Sequence, residues 1–129
     1  MVTLISHDEY IALQETLEIA NDPALRAQIE AAEREVGRNE IFLAEELTGV
    51  RTAEDRLRLA ESVERTWQML NDDKQISIAK IFAFIDDDPI SGAPLFDPLR
   101  GLWSYRLADA RVVYRIVPEA RFVVVLAVT

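Results

Sequence analysis

The fold is decided by residues 98–128, which read PLRGLWSYRLADARVVYRIVPEARFVVVLAV. Three apolar-rich runs are separated by two short polar breaks, at Ala108-Asp109 and at Pro118-Glu119. Apolar runs of this length bounded by such breaks are typical of consecutive antiparallel strands. The segment therefore predicts a three-stranded meander. Its final run, Phe122–Val128, is expected to be buried, because an exposed strand of this composition would aggregate.

Charge is unevenly distributed along the 129 residues, whose net charge is −9. The first 48 residues contain eleven acidic residues and three basic ones. Residues 98–121 contain two acidic residues and five arginines, namely Arg100, Arg106, Arg111, Arg115 and Arg121. This asymmetry predicts that the acidic part binds the basic part. The acidic chain as a whole is expected to bind nucleic acid weakly.

Composition excludes several kinds of site and location. The absence of cysteine excludes disulfides and thiolate metal sites. The single histidine, His7, argues against a histidine-based metal site and is expected on the surface, in the first turn of a helix. We therefore predict no metal and no cofactor. The longest apolar run is too short to span a bilayer, and the N-terminus shows no export signal. A cytoplasmic protein without a membrane partner is expected.

Two helices are predicted before residue 40. Ser6-x-x-Glu9 has the spacing of a capping box and predicts a helix from about His7 to Ala20. Asp22-Pro23 predicts the start of a second helix, which ends at Gly37. Their apolar residues recur at helical spacing and are Tyr10, Leu13, Leu17, Ile19/Ala20, Leu25, Ile29, Ala32 and Val36. These apolar faces are narrow, so the helices need a partner surface.

The middle of the chain leaves one alternative open. Ile41–Leu43 predicts a short strand at a sheet edge, and residues 48–52 predict a joint between two parts, 1–48 and 52–129. Residues 52–70 fit either one long helix or a strand over 56–60 followed by a helix from Glu61. Asn71 predicts the start of a further helix that ends at the acidic run 86–88, and residues 90–98 predict a loop.

The meander carries a resemblance to a known family. Residues 101–106, which read GLWSYR, and residues 111–114, which read RVVY, resemble motifs of the RelE/ParE superfamily of small bacterial toxins. Residues 57–70 resemble the first strand and helix of that family, which favours the strand-then-helix alternative. The resemblance covers most of the chain after Arg56. It implies an α+β fold in which an antiparallel sheet carries two packed helices.

The first part of the chain carries a second resemblance. Residues 2–17, which read VTLISHDEYIALQETL, resemble the C-terminal half of Phd/YefM-type antitoxins, in which acidic helices and a short strand wrap the cognate toxin. The DNA-binding domain of those antitoxins has no counterpart here, so no DNA partner is expected. The resemblance implies an antitoxin-like arm, 1–48, fused to a toxin-like domain, 52–129. The arm would dock in cis, or in trans on a second copy to give a homodimer.

The resemblance also implies a chemistry. Ribonuclease members of the superfamily cut mRNA on the ribosome without a metal, so they need a base, an acid and cations around the phosphate. Arg111 and Arg106 match arginines of the family motifs and are the candidate catalytic cations. Arg100, Arg115 and Arg121 are candidates to bind either RNA phosphates or the acidic arm. If the arm binds them, the expected partners of the arginines are Glu30, Glu33 or Glu40.

The implied catalytic group is incomplete. The position of the family's glutamate base is occupied by Ala93, and its nearby lysine falls on Phe96. The family's basic or histidine-bearing C-terminal residues have no counterpart after Val128, and Asp97 is the carboxylate that remains in the preceding loop. The loss of base and acid removes about 10²–10⁴-fold each from such catalysis. We therefore expect little or no ribonuclease activity.

Three functional hypotheses follow. The first is an interaction protein, a self-neutralised toxin–antitoxin derivative that forms oligomers if the arm is swapped. The second is an enzyme, a ribosome-dependent mRNA interferase that uses Arg106 and Arg111. The third is a ParE-like gyrase inhibitor. The aromatic residues are interpreted as packing residues rather than catalytic groups, and these are Trp67, Trp103, Tyr105 and Tyr114.

Overall fold

The computed structural model describes residues 5–44, 56–119 and 122–129. Within them the α-helices are α1 (His7–Ala20), α2 (Pro23–Gly37), α3 (Glu61–Met69) and α4 (Asp72–Asp87), followed by a 3₁₀ helix, Pro89–Ser91. The strands are β1 (Ile41–Leu43), β2 (Leu57–Ala60), β3 (Ala93–Pro94), β4 (Trp103–Leu107), β5 (Ala110–Val117) and β6 (Phe122–Val128). The α+β class is as predicted. The joint predicted at residues 48–52 lies outside the described residues.

The strands form one sheet in the order β1-β2-β6-β5-β4-β3. The predicted meander is confirmed as β4, β5 and β6, which pair antiparallel and turn at the two expected breaks. The prediction of an antiparallel sheet was wrong in one respect, since β2 pairs with β6 in parallel and the sheet is mixed. Parallel pairing is possible there because the long segment between these strands, including α3 and α4, can cross from one end of the sheet to the other.

Capping residues and short apolar runs in the sequence predicted most of the helices and strands at the positions where they occur. Ser6 accepts a hydrogen bond from the backbone N–H of Glu9, and Asp22 accepts one from Leu25, so both predicted helix starts are confirmed. Ile41–Leu43 is an edge strand antiparallel to β2. The strand-then-helix alternative is the one observed, as β2 and α3. No described helix has the length and apolar character needed to cross a membrane.

Helix α1 forms where predicted, but most of its predicted apolar stripe faces outward, and only the end at Ile19 is buried. The side chains of Tyr10, Leu13 and Leu17 are 49%, 41% and 53% exposed. The face turned to the sheet consists of Ala12, Glu15, Thr16 and Ile19. This rotation has a physical cause, because the buried carboxylate of Glu15 is held by groups of the sheet.

The two faces of the sheet have different chemistry. Successive residues of a strand point to opposite faces, and directly paired residues share a face. Ser104 pairs with Val113 and Arg106 pairs with Arg111, so these residues share the face covered by α1. The opposite face is apolar and aromatic, and Phe84 of α4 stacks on Tyr105 there with ring centroids 5.9 Å apart. The charged chemistry of the chain is therefore concentrated under α1.

Helix α2 is fastened to the backbone of the later elements. The side-chain amide of Gln28 donates a hydrogen bond to the carbonyl of Val128 (3.0 Å) and accepts one from the N–H of Val128 (3.2 Å). A residue of a neighbouring strand would make the same pair of bonds with its backbone. Glu35 accepts a hydrogen bond from the N–H of Ser62 at 2.8 Å, in the first turn of α3. The residue before α3, Ala60, has no side chain able to cap it. Glu35 therefore caps α3 from another helix.

The segment predicted to be a loop, residues 90–98, contains regular structure. Ala93 and Pro94 form β3, which pairs with Ser104 and Trp103 at the edge of the sheet. Gly92 makes this close approach possible, because a Cβ there would lie 2.8 Å from the carbonyl oxygen of Ser104 and would collide with the hydroxyl of Tyr114. The prediction missed β3 because two residues are too short for a pattern.

Replacement of Gly92 by alanine should destabilise the protein by about 1–3 kcal/mol, since the new methyl group has to displace backbone and a buried tyrosine. The measurement is urea unfolding followed by circular dichroism. Gly37→Ala is the matched control, because a Cβ at Gly37 has no atom within 4 Å and the residue is helical. Equal stability of Gly92→Ala and wild type would contradict the packing described for β3.

Replacement of Glu35 by glutamine should produce a pH-dependent loss of stability. Burial raises the pKa of Glu35, but hydrogen bonds from Ser62 and Arg65 outweigh it and hold the pKa below the ordinary 4.5. The charge therefore stabilises the fold above the unfolded pKa, and this contribution is lost as pH falls through the folded pKa. We expect Glu35→Gln to lower the free energy of unfolding by about 1 kcal/mol at neutral pH.

The Glu35→Gln difference should shrink toward zero in acid, because the wild-type carboxyl is then also uncharged. Urea unfolding at a series of pH values measures it. Glu64→Gln, at an exposed position of α3, is the control and should change stability little at any pH. A loss that stays constant down to the lowest accessible pH would refute the charged cap.

Candidate functional site

The candidate site is the arginine face of the sheet, which we define by Arg106 on β4 and by Arg111 and Arg115 on β5. Arg106 and Arg111 are directly paired across the two strands. Like charges at such positions repel each other. In this fold each arginine of the face contacts a carboxylate of α1 or α2.

The centre of the arginine face is a nearly buried ion pair between Arg111 and Glu15. Arg111 donates from Nε to Glu15 Oε2 at 2.8 Å and from Nη2 to Oε1 at 3.2 Å. The hydroxyl of Ser104 donates to the same Oε2 at 2.9 Å. The two charged side chains are only 11% and 9% exposed. This two-bond geometry is among the strongest that an arginine and a carboxylate can form.

A second carboxylate extends the network toward solvent. Glu18 accepts from Arg111 and, at 3.2 Å, from Nη1 of Arg106. Arg106 Nη1 also lies 3.6 Å from Glu15. Two arginines therefore face two glutamates, and the local charge is balanced. Because Arg106 and Glu18 are each about half exposed, solvent screens their contribution.

The other sequence-predicted arginines are in different surroundings. Arg115 pairs with Glu33 of α2, as one of the expected partners. Arg100 pairs with Asp97 of its own loop, with both side chains more than 70% exposed, and it lines a cleft of about 200 Å³ together with Arg115 and Glu33. Arg121 lies outside the described residues. Of the other expected carboxylates, Glu40 binds Arg38, which holds the pKa of Glu40 below its ordinary value.

Sequence reasoning missed Glu15 and Glu18, the two main partners of the face. A signal existed, because Glu15 falls at helical spacing between Ala12 and Ile19, and both of these are buried. The apolar stripe of Tyr10, Leu13 and Leu17 outweighed it in the prediction. Charge asymmetry identified the kind of interaction but not the residues that make it.

The positions that the family resemblance assigns to a catalytic glutamate and a lysine are occupied by residues that can act neither as a base nor as a cation. Ala93 lies in β3, and Phe96 is bound through its backbone N–H to the hydroxyl of Thr16 on α1. Asp97 is exposed and bonded to Arg100. Tyr114 is buried, its hydroxyl donates to the carbonyl of Pro89, and burial raises its pKa. Trp67 and Trp103 stack on Phe82 and Tyr114, which agrees with the packing interpretation.

One cluster of carboxylates among the described residues is close enough together to hold a metal ion. The carboxylates of Glu35, Glu40 and Glu61 lie within 4.8 Å of one another. Arg65 and Arg38 already pair with the first two, and Glu35 also caps α3. Their arrangement is explained by these contacts and does not require a cation.

The fold matches that of known toxins. No family model and no curated protein sequence matches the chain. The toxin–antitoxin complex RelBE2 from Mycobacterium tuberculosis matches with 28% identity over 57% of this chain and 93% of that one, at a TM-score of 0.53. The intact RelBE complex and a mutant of the free RelE toxin, both from E. coli, match with 20% identity over 57% of this chain and 92% and 79% of theirs, at TM-scores of 0.50. The chain therefore contains a RelE-like fold over more than half its length.

Removal of one member of the central ion pair should be costly. Glu15→Ala leaves the buried Arg111 with only the half-exposed Glu18 as a partner and should lower the free energy of unfolding by about 3 kcal/mol. The double variant Glu15→Leu with Arg111→Met should recover part of this loss, because no buried charge remains. Urea unfolding of Glu15→Leu, of Arg111→Met and of the double variant measures the coupling between the two side chains. Arg100→Ala is the control and should stay within about 0.5 kcal/mol of wild type.

Strict additivity of the two single substitutions would contradict the described geometry. A loss for Arg100→Ala as large as that for Glu15→Ala would also contradict it, since Arg100 is exposed.

Proposed function

We propose that this protein is a self-neutralised RelE-like toxin domain whose acidic N-terminal helices cover its arginine face. The observation that carries the proposal is the set of pairs between Arg106, Arg111 and Arg115 and the carboxylates of α1 and α2. In this interpretation residues 1–48 act as an antitoxin-like arm and residues 52–129 as the toxin-like domain. Its partner is the arm itself, so the protein is an interaction module rather than an active nuclease.

The RelE-like fold and its solved relatives support the toxin half of the proposal. Two of these structures are toxin–antitoxin complexes. The matched share of this chain, 57%, is also the share taken by residues 56–129. The acidic helices that precede this segment supply the carboxylates that a separate antitoxin would supply.

The chemistry of the face supports an inactive domain. Cleavage of RNA by attack of its own 2′-hydroxyl needs a base, an acid and cations around the phosphate. Arg106 and Arg111 are suitable cations, but both are already engaged by carboxylates. Ala93 and Phe96 provide neither base nor acid, and Asp97 is bound to Arg100. An uncovered face would therefore bind phosphate without cutting RNA.

Docking of the arm in cis is the second part of the proposal. A single copy of the chain can form all of the pairs described above, together with the bonds of Gln28 and Glu35 to the backbone of Val128 and Ser62, so cis docking needs no second copy. Cis docking predicts a monomer of 14.6 kDa. Sedimentation equilibrium measures this, and a dimer that persists on dilution would favour a swapped arm instead.

The central test opens the arginine face in the full chain. The double variant Glu18→Lys with Glu33→Lys removes two half-exposed carboxylates that pair with Arg106 and Arg115. We expect it to bind a fluorescein-labelled single-stranded oligoribonucleotide at least about tenfold more tightly than wild type, with a strong dependence on salt. Fluorescence anisotropy measures binding, and gel electrophoresis of the same RNA measures cleavage, which should be absent.

The control has the same change in net charge at sites remote from the face. Glu64→Lys with Asp87→Lys alters two exposed residues of α3 and α4. Equal RNA binding by both double variants would overturn the proposed masking. Cleavage of mRNA on ribosomes would favour an active interferase, and inhibition of gyrase would favour the ParE-like alternative. Growth of cells expressing wild type and the Glu18/Glu33 variant distinguishes a silent domain from a toxic one.

A further inference from the structure

The outer edge of β4 is only partly covered. Strand β3 pairs Ala93 with Ser104 and Pro94 with Trp103, and the ladder ends there. Tyr105, Arg106 and Leu107 continue β4 beyond this point, with β5 on their inner side. Among the described residues, no strand lies on their outer side. The sheet therefore has a short free edge immediately after β3.

The backbone groups of Arg106 point to this free edge. In an antiparallel ladder, both the N–H and the C=O of a residue point to the same neighbouring strand. Arg111 exchanges both of its groups with Thr129, at 2.8 and 3.0 Å, so they point toward the β6 side. Its cross-strand partner Arg106 therefore receives no ladder bond from β5.

The pairing with β3 leads independently to the same orientation. Leu95 donates its N–H to the carbonyl of Leu102 at 2.9 Å, which places the groups of Leu102 on the outer side. Residues two and four positions along a strand repeat that orientation, so Ser104 and Arg106 share it.

Nothing described in the chain satisfies these groups of Arg106. The register of β3 would place Ser91 opposite Arg106, but Ser91 belongs to the 3₁₀ helix and donates its N–H to Asp88 at 3.1 Å. At Ser91 the chain therefore leaves the sheet edge, so no residue of β3 pairs with Arg106. An N–H and a C=O at a sheet edge are a template for an added strand.

A cleft at this edge can receive side chains. Its volume is about 690 Å³, and it is lined by Ile11 of α1, by Ile90 and Pro94, and by Trp103, Tyr105 and Arg106 of β4. Ile90 is 68% exposed although it is apolar. Asp8 lines the cleft, and no described residue pairs with it.

We propose that the edge at Arg106 binds an extended segment of another protein by strand addition. The backbone of the segment would bond to Arg106, and apolar side chains at alternate positions would contact Ile90 and Tyr105, on the face of the sheet opposite α1. A lysine or arginine in the segment would face Asp8, because the carboxylate there is unpaired among the described residues. The site uses the backbone of Arg106, whereas the arginine face uses its side chain, so the proposal does not depend on whether that face is silenced.

A second copy of this chain is a less suitable occupant. Antiparallel pairing of two β4 edges about Arg106 would place two arginines of the same charge opposite each other, which is unfavourable. It would also bring two copies of a strongly acidic chain together. We therefore infer a different protein as the partner and treat self-association as an outcome of the test.

The test uses the full chain and two synthetic extended peptides, one alternating valine with lysine and one alternating valine with glutamate. Amide hydrogen exchange measured by NMR gives the decisive signal, because it reports on single N–H groups. We expect the Arg106 amide to exchange rapidly in the free protein and at least about tenfold more slowly with saturating valine–lysine peptide. The Leu107 amide should be protected in both states, because its ladder bonds go to β5.

Controls separate strand addition from other binding. The valine–lysine peptide methylated on its backbone nitrogens should not protect Arg106, and the valine–glutamate peptide should bind about threefold more weakly, as one exposed ion pair allows. Ile90→Asp should weaken binding, whereas Ile76→Asp, at an exposed isoleucine of α4 outside the cleft, should not. The proposal is overturned if neither peptide binds saturably, if Arg106 is already protected, or if the free protein dimerises through this edge.

Discussion

The buried pair between Glu15 and Arg111 constrains the arrangement of the whole N-terminal segment. A charge with 9% or 11% exposure costs several kcal/mol when it has no partner. Helix α1 must therefore present Glu15 to the sheet, even though its leucines then face solvent. The same carboxylate accepts the hydroxyl of Ser104 and lies close to Arg106. One carboxylate thus determines how α1 is rotated and whether two facing arginines can be tolerated.

Helix α2 is attached by a different kind of contact. Gln28 and Glu35 bind backbone groups of Val128 and Ser62, which are present whatever the local side chains are. Such bonds are less sensitive to salt than the exposed part of the arginine face. The structure therefore attaches α1 through carboxylates on the arginine face, and α2 through the Arg115–Glu33 pair together with bonds to the backbone. Removal of both helices would leave α3 without its cap, so loss of the cover and loss of the fold have to be distinguished by point substitutions.

Local features of the sequence were sufficient for most of the elements. Capping residues at Ser6 and Asp22, and the apolar runs of the meander, predicted their helices and strands because these signals act over a few residues. The rotation of α1 could not be predicted, since it is set by Arg111, 96 residues away. The parallel pairing of β2 with β6 and the two-residue strand β3 also depend on tertiary contacts. At the candidate site, charge asymmetry predicted that arginines of the sheet would pair with carboxylates of the N-terminal helices. Only the geometry of the structure identified Glu15 as the main partner.

The sheet order has a consequence for the way the chain folds. Strand β6 lies between β2 and β5, and it follows both of them in the chain. Until β6 is in place, the two sides of the sheet have no common strand, and the inner edges of β2 and β5 stay open. Contacts between residues so distant in sequence make folding slow. During synthesis, the earlier strands would therefore wait with unpaired apolar edges, which is the interval in which a chaperone would be most useful.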